Sequence, residues 1–151
     1  MSNTKSIFKV AKRATEKVSI CFDTDLAEAY QVETSKARGG RLSDSTDAIE
    51  KKYKTKIKNA SVEFTFQALS RSEWRKLRLE HAPRDGVKDD SATGVNVDTF
   101  FNALIEQSCI SPSLSSEEWS TLLDDTLSQA QWDKLAYAAQ RLNTFTSDVP
   151  F

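Results

Sequence analysis

Among the side chains that do most metal and nucleophile chemistry, this chain has one histidine, His81, and two cysteines, Cys21 and Cys109. One histidine cannot supply an imidazole cluster, and the two cysteines stand in no metal-ligand spacing. As a general base, His81 would need an oriented nucleophile, and no nucleophile elbow or Cys–His signature accompanies it. Its place at a helix end, two residues before Pro83, suits an imidazole capping helix carbonyls. Asp89-Asp90 and Asp124-Asp125 lack the alternating oxygen ligands and the glycine of a calcium loop. No phosphate loop and no G-x-G-x-x-G is present. The expectation is a chain with no catalytic residue, no metal and no cofactor, and not an enzyme. The cysteines are expected as buried thiols in a reducing compartment.

The positioning elements are written more clearly than any chemistry. In Leu69-Ser70-Arg71-Ser72-Glu73-Trp74, Ser70 can accept the free N–H of Glu73 while Glu73 reaches back to Ser70, a capping box. Leu69 and Trp74 occupy the two positions of a hydrophobic staple. The device recurs in Leu114-Ser115-Ser116-Glu117-Glu118-Trp119 and in Leu127-Ser128-Gln129-Ala130-Gln131-Trp132. Ser115 with Glu118, and Ser128 with Gln131, make the second and third pairs. All three tryptophans, Trp74, Trp119 and Trp132, therefore sit one turn inside a helix start. Such aromatics serve as core, and some can instead line a groove for a partner.

Length and composition bound the rest. At 151 residues one domain is expected, burying about 68–70% of the surface its unfolded chain exposes. Four glycines and three prolines argue for helices rather than a turn-rich sandwich. No run approaches the roughly 18 apolar residues of a membrane span, and no apolar segment follows the start as in a secretion signal. The net charge of −1 hides a division: residues 1–60 hold 13 basic and 8 acidic residues, +5, and residues 61–151 hold 8 and 14, −6. Such asymmetry fits nucleic-acid contact by the basic half, head-to-tail self-association, or two solvated faces.

In chain order, residues 1–16 are expected as a flexible basic arm, with Ile7, Phe8 and Val10 its sizeable apolar residues. Val18, Ile20 and Phe22 alternate on one face of a strand. A helix over about 25–37, capped by Asp23 or Thr24, ends at Arg38-Gly39-Gly40-Arg41. A second helix starts at Ser43 or Ser45 and carries Ile49, Tyr53 and Ile57, its remaining surface rich in lysine. Val62, Phe64, Phe66 and Ala68 define a second strand, which should run antiparallel to the first after a helix pair that goes out and returns. Helices are expected over 71–81, 98–108, 116–125 and 129–142, with a long mobile loop at 84–96. The expected fold is α+β and predominantly α-helical, a small two-stranded antiparallel sheet with about six helices. The domain covers 17–145, and 146–151 is a short tail.

Several stretches together resemble one family, the tail assembly chaperones of long-tailed bacteriophages and prophages. Lys17-Val18-Ser19-Ile20-Cys21-Phe22-Asp23 resembles the family's first strand. Val62-Glu63-Phe64-Thr65-Phe66-Gln67-Ala68-Leu69-Ser70-Arg71, then Trp74 and Leu77, is similar to its central strand and helix. Glu80-His81-Ala82-Pro83-Arg84 resembles a Glu-His-Pro-Pro helix ending, with Ala82 in place of the first proline. Ala103-Leu104-Ile105, Cys109-Ile110-Ser111-Pro112, Leu127-Ser128, Gln131-Trp132, Leu142-Asn143 and the closing Asp148-Val149-Pro150-Phe151 complete the likeness. It spans roughly 17–145. The resemblance implies a non-enzymatic assembly factor in the host cytoplasm, absent from the mature virion. Its partner would be the tape-measure protein, with the tail-tube protein as a further one. No catalytic residue carries over.

A tape-measure helix presents apolar stripes, and a helical groove can shelter them. The candidates are Phe100, Phe101, Leu104, Trp119 and Leu123, on two short helices with more apolar surface than they need to bury; core packing is the competing role. Two other functions stay open: a structural tail or connector subunit retained in the particle, and a small nucleic-acid-binding module built on the lysine-rich helix. Self-association is a further option.

Overall fold

The computed structural model describes residues 3–39, 44–146 and 149–150. Gly40 and Arg41 in the expected helix ending, the cap candidate Ser43, and the closing Asp148 and Phe151 lie outside them. The fold is α+β and helix-dominated, with a three-stranded antiparallel sheet. Among the described residues the order is α1 (Asn3–Val10), β1 (Thr15–Cys21), α2 (Thr24–Gly39), α3 (Asp44–Asn59), β2 (Ser61–Gln67), α4 (Arg71–Glu80), α5 (Lys88–Thr93), α6 (Phe100–Ser108), β3 (Cys109–Ser111), α7 (Ser116–Thr121), a π-helical turn (Leu122–Thr126) and α8 (Gln129–Thr144). Eight helices and three strands thus replace the expected six and two.

The sheet order is β1-β2-β3. The missed strand, β3, pairs antiparallel with β2, Thr65 opposite Ser111 and Phe66 opposite Cys109, with a register irregularity between Thr65 and Phe66. Three residues are too few to show an alternating pattern, so β3 reads in sequence as a helix end before Pro112. The N-terminal segment, expected as an arm, carries α1, and Ile7, Phe8 and Val10 on it are exposed.

Contacts cluster into two compact units, one of Met1–Val18 with Phe64–Phe151, the other Ser19–Glu63. In the smaller unit Asp23 caps α2, its Oδ1 accepting the Leu26 N–H at 3.1 Å. Tyr30 and Tyr53 meet edge to face at 5.8 Å between α2 and α3. Glu33 accepts from Tyr53 Oη at 2.9 Å and from Lys52 Nζ at 3.2 Å. These bonds, the tyrosine's first, hold the Glu33 carboxyl below its ordinary value and raise the Tyr53 phenol. The Phe22 N–H donates to the Ala60 carbonyl at 2.9 Å, closing the base of the hairpin.

In the larger unit Phe64, Phe66, Leu77, Leu104, Ile105, Leu135 and Ala139 are each no more than 1% exposed. Alternation puts Phe64 and Phe66 on one face of β2, and a four-residue step puts Leu135 and Ala139 on one side of α8. Asn143 fastens the end of α8: its Oδ1 accepts the Leu69 N–H at 2.7 Å, and its Nδ2 donates to Ala139 O and Ser108 Oγ. All three capping boxes form. Ser70, Ser115 and Ser128 each accept the N–H three residues on at 3.2 Å, and Glu73, Glu118 and Gln131 bond back to the cap N–H.

The expected loop at 84–96 is instead organised around an ion pair whose carboxylate is buried and whose guanidinium is partly exposed. Asp90 is 0% exposed and accepts from Arg84 N and Nε at 2.8 Å, Arg84 Nη2 at 3.1 Å and Val97 N at 3.2 Å. Arg84 also reaches Asp98 at 2.9 Å. Gly94 closes α5 with φ +77°, where a Cβ would stand 2.9 Å from Arg78 Nη2. No hydrophobic period marks this segment, so nothing local in the sequence announces α5. The Arg84 guanidinium, opposed by burial, holds the Asp90 carboxyl well below the usual carboxylate range.

Two outcomes follow. Ser70→Ala, Ser115→Ala and Ser128→Ala should each lower unfolding free energy by about 1 kcal/mol in urea titrations. A carboxyl depressed in the folded state stabilises above its unfolded pKa and loses that contribution as pH falls through the folded value. Stability should therefore drop as pH falls below about 4. In Asp90→Asn, which is less stable at neutral pH, that acid limb should be flatter by the same titrations.

Candidate partner-binding surface

Four of the five candidate residues are core. Phe100 and Trp119 are 3% exposed, Leu104 is 0% and Leu123 is 7%. Phe101 is half-buried. The apolar surplus on these short helices is absorbed by helix-on-helix and helix-on-sheet packing, which the sequence cannot distinguish from an open face. Trp119 lies tilted against Phe64 of β2, ring centres 6.3 Å apart.

The other two tryptophans join one aromatic ladder. Trp74 meets Phe100 edge to face at 5.7 Å, Phe100 meets Phe101 at 5.2 Å, and Phe101 meets Trp132 at 6.2 Å. Such edge-to-face pairs place a positive ring edge on a negative ring face. Trp132 Nε1 donates to Asn102 Oδ1 at 2.7 Å, and Asn102 Nδ2 donates to Asp124 Oδ1 at 3.2 Å. Beside this chain lies a groove of about 350 Å³ lined by Val97, Asn102, Leu123, Asp124, Leu127 and Trp132. Of the five candidates, only Leu123 reaches it. Asp98, Ser128 and Gln129 complete its wall, which with Asn102 and Asp124 is more polar than the greasy channel expected.

His81 ends α4, its N–H bonding to Leu77 O. Its ring is not spent on helix carbonyls: Nδ1 lies 2.8 Å from Thr99 Oγ1 and the ring edge lies against Phe100. It ties α4 to the start of α6, a structural role. No disulfide joins Cys21 and Cys109; burial raises the Cys109 thiol. Among the described residues no group of three or more His, Cys, Asp or Glu could hold a metal ion, and no helix is long and apolar enough to cross a membrane.

Open apolar surface exists elsewhere, on residues that sequence reading passed over. Tyr137 and Phe145 are 64% and 69% exposed. With Thr15, Glu16, Arg141 and Leu142 they line a groove of about 750 Å³ between the start of β1 and the end of α8. Tyr137, Arg141 and Phe145 recur every four residues, opposite the buried stripe of Leu135 and Ala139. That period is the signal that could have found them. On the smaller unit a groove of about 700 Å³ is lined by Tyr30, Ile57, Lys54, Lys58 and Glu63.

No family model, no curated protein and no solved structure matches the chain.

Leu104→Ala should cost about 2–5 kcal/mol, the range for a sealed leucine. Phe101→Ala should cost clearly less and keep the far-UV helix signal. Urea unfolding followed by circular dichroism compares the two.

Proposed function

We propose that this chain is a bacteriophage tail assembly chaperone. It binds the tape-measure protein and keeps it soluble in the host cytoplasm while the tail tube assembles, without catalysing a reaction. The observation that carries this proposal is the ordered run of strand and helix motifs that resembles the family, above all Val62–Leu77 followed by Glu80-His81-Ala82-Pro83-Arg84. A helix-dominated α+β body is consistent with it. So is exposed apolar surface, since a holder of a helix with greasy stripes needs a face on which to lay them. Tyr137 and Phe145 supply such a face. Of the five residues first considered for contact, Phe101 alone keeps a half-open side chain; Phe100, Leu104, Trp119 and Leu123 act through the core beneath.

Co-expression with the neighbouring phage genes tests the assignment. The tape-measure protein should be soluble and co-purify with this chain, and insoluble without it. Mass spectrometry of purified virions should find the chain absent. Its presence at structural stoichiometry would make it a tail or connector subunit instead.

A further inference from the structure

Helix α4 puts three arginines on one stripe. Arg71, Arg75 and Arg78 stand at i, i+4 and i+7, all exposed, with Leu79 beside them at 77% exposure. The carboxylates of the same helix are already taken: Glu73 holds Arg13 at 2.9 Å, and Glu80 holds Lys76 at 3.9 Å. Among the described residues the three arginines make no ion pair and no hydrogen bond. Like charges at this spacing repel, so the stripe costs the helix stability until an anion meets it. Beside it lies a recess of about 280 Å³ lined by Arg75, Arg78, Leu79, Ala82, Pro83 and Gly94. A Cβ on Gly94 would stand 2.9 Å from Arg78 Nη2, so that guanidinium rests against the end of α5.

We propose that this face binds an acidic, amphipathic helix of a partner protein, its carboxylates on Arg71, Arg75 and Arg78 and one apolar side chain in the recess against Leu79. A guanidinium pairs with a carboxylate through two parallel hydrogen bonds, and a row of arginines reads a row of acids. The stripe advances by about 6 Å and then about 4.5 Å along the axis, at about 1.5 Å per residue. A partner helix repeats its side chains at the same steps, whereas a strand spaces same-face residues evenly, about 6.6 Å apart. Nucleic acid fits less well. A duplex carries one charge per about 1.7 Å and runs on past a stripe only about 10 Å long. The chain beyond α4 would repel it, since residues 89–133 hold nine acidic and no basic side chains. None of the residues lining the recess is aromatic, so no base finds a ring to stack on there.

This site uses neither Tyr137 nor Phe145, so it and the chaperone assignment can fail separately. The probe is a labelled synthetic helix with Glu at i, i+4 and i+7 and Leu on the adjoining stripe, titrated with the full chain. Fluorescence anisotropy should saturate, and affinity should fall as salt is raised, because exposed charges are screened. Arg75→Glu with Arg78→Glu should weaken binding about tenfold or more, and Leu79→Ser about fivefold. All three side chains are exposed, so circular dichroism should be unchanged in both variants. Lys54→Glu with Lys58→Glu on α3 should leave the affinity as it was. The proposal would be overturned by no saturable binding, by equal affinity for a scrambled peptide of the same composition, or by indifference to the arginine reversals. Tighter binding of a DNA duplex of equal charge, or sedimentation showing copies of the chain associating through these arginines, would give the face to another occupant and overturn it as well.

Discussion

Keeping water from Phe64 and Phe66 on one face of β2 is the constraint on which the larger unit depends. A strand in the middle of a three-stranded sheet satisfies its backbone on both sides, yet three short strands cannot cover their own apolar face. Helices must do so. Trp119 of α7 lies against Phe64, and Leu77 of α4, Leu104 and Ile105 of α6, and Leu135 and Ala139 of α8 are likewise essentially without solvent contact. Removing so much apolar surface from water supplies the main driving force. It also explains why residues that look like a surplus in sequence turn out to be core.

Polar groups near that core are paired rather than left to water. Asn143 answers the Leu69 N–H and the Ser108 hydroxyl. Asp90 receives four donors from Arg84 and Val97. A buried carboxylate without such partners would be expensive. The segment from Arg84 to Val97 is therefore held by electrostatics where the rest of the unit is held by packing. His81 works in the same spirit, joining α4 to α6 through Thr99 and Phe100. They stabilise the scaffold, while Tyr137 and Phe145 stay exposed.

The smaller unit runs on different terms. It has few sealed side chains: among its described residues Ile20 of β1 and Tyr53 of α3 are the buried hydrophobics. Glu33, Lys52 and Tyr53 form its central polar knot. Such a unit depends more on hydrogen bonds and ring contact than on a large core. The lysines of α3 are a solvated face around that knot.

By itself the sequence determined what is local. A capping box closes over three residues, and strand alternation repeats every two, so Ser70, Ser115 and Ser128, the face of Phe64 and Phe66, and the helix-dominated class were legible from spacing alone. Tertiary structure decided everything that depends on residues far apart in the chain. The strand Cys109–Ser111 exists because β2 offers it an edge. Helix α5 exists because Asp90 finds Arg84. Phe100, Leu104, Trp119 and Leu123 are covered while Tyr137 and Phe145 are bare, because burial belongs to the pair of surfaces that meet, and one helix's sequence carries only half of that pair.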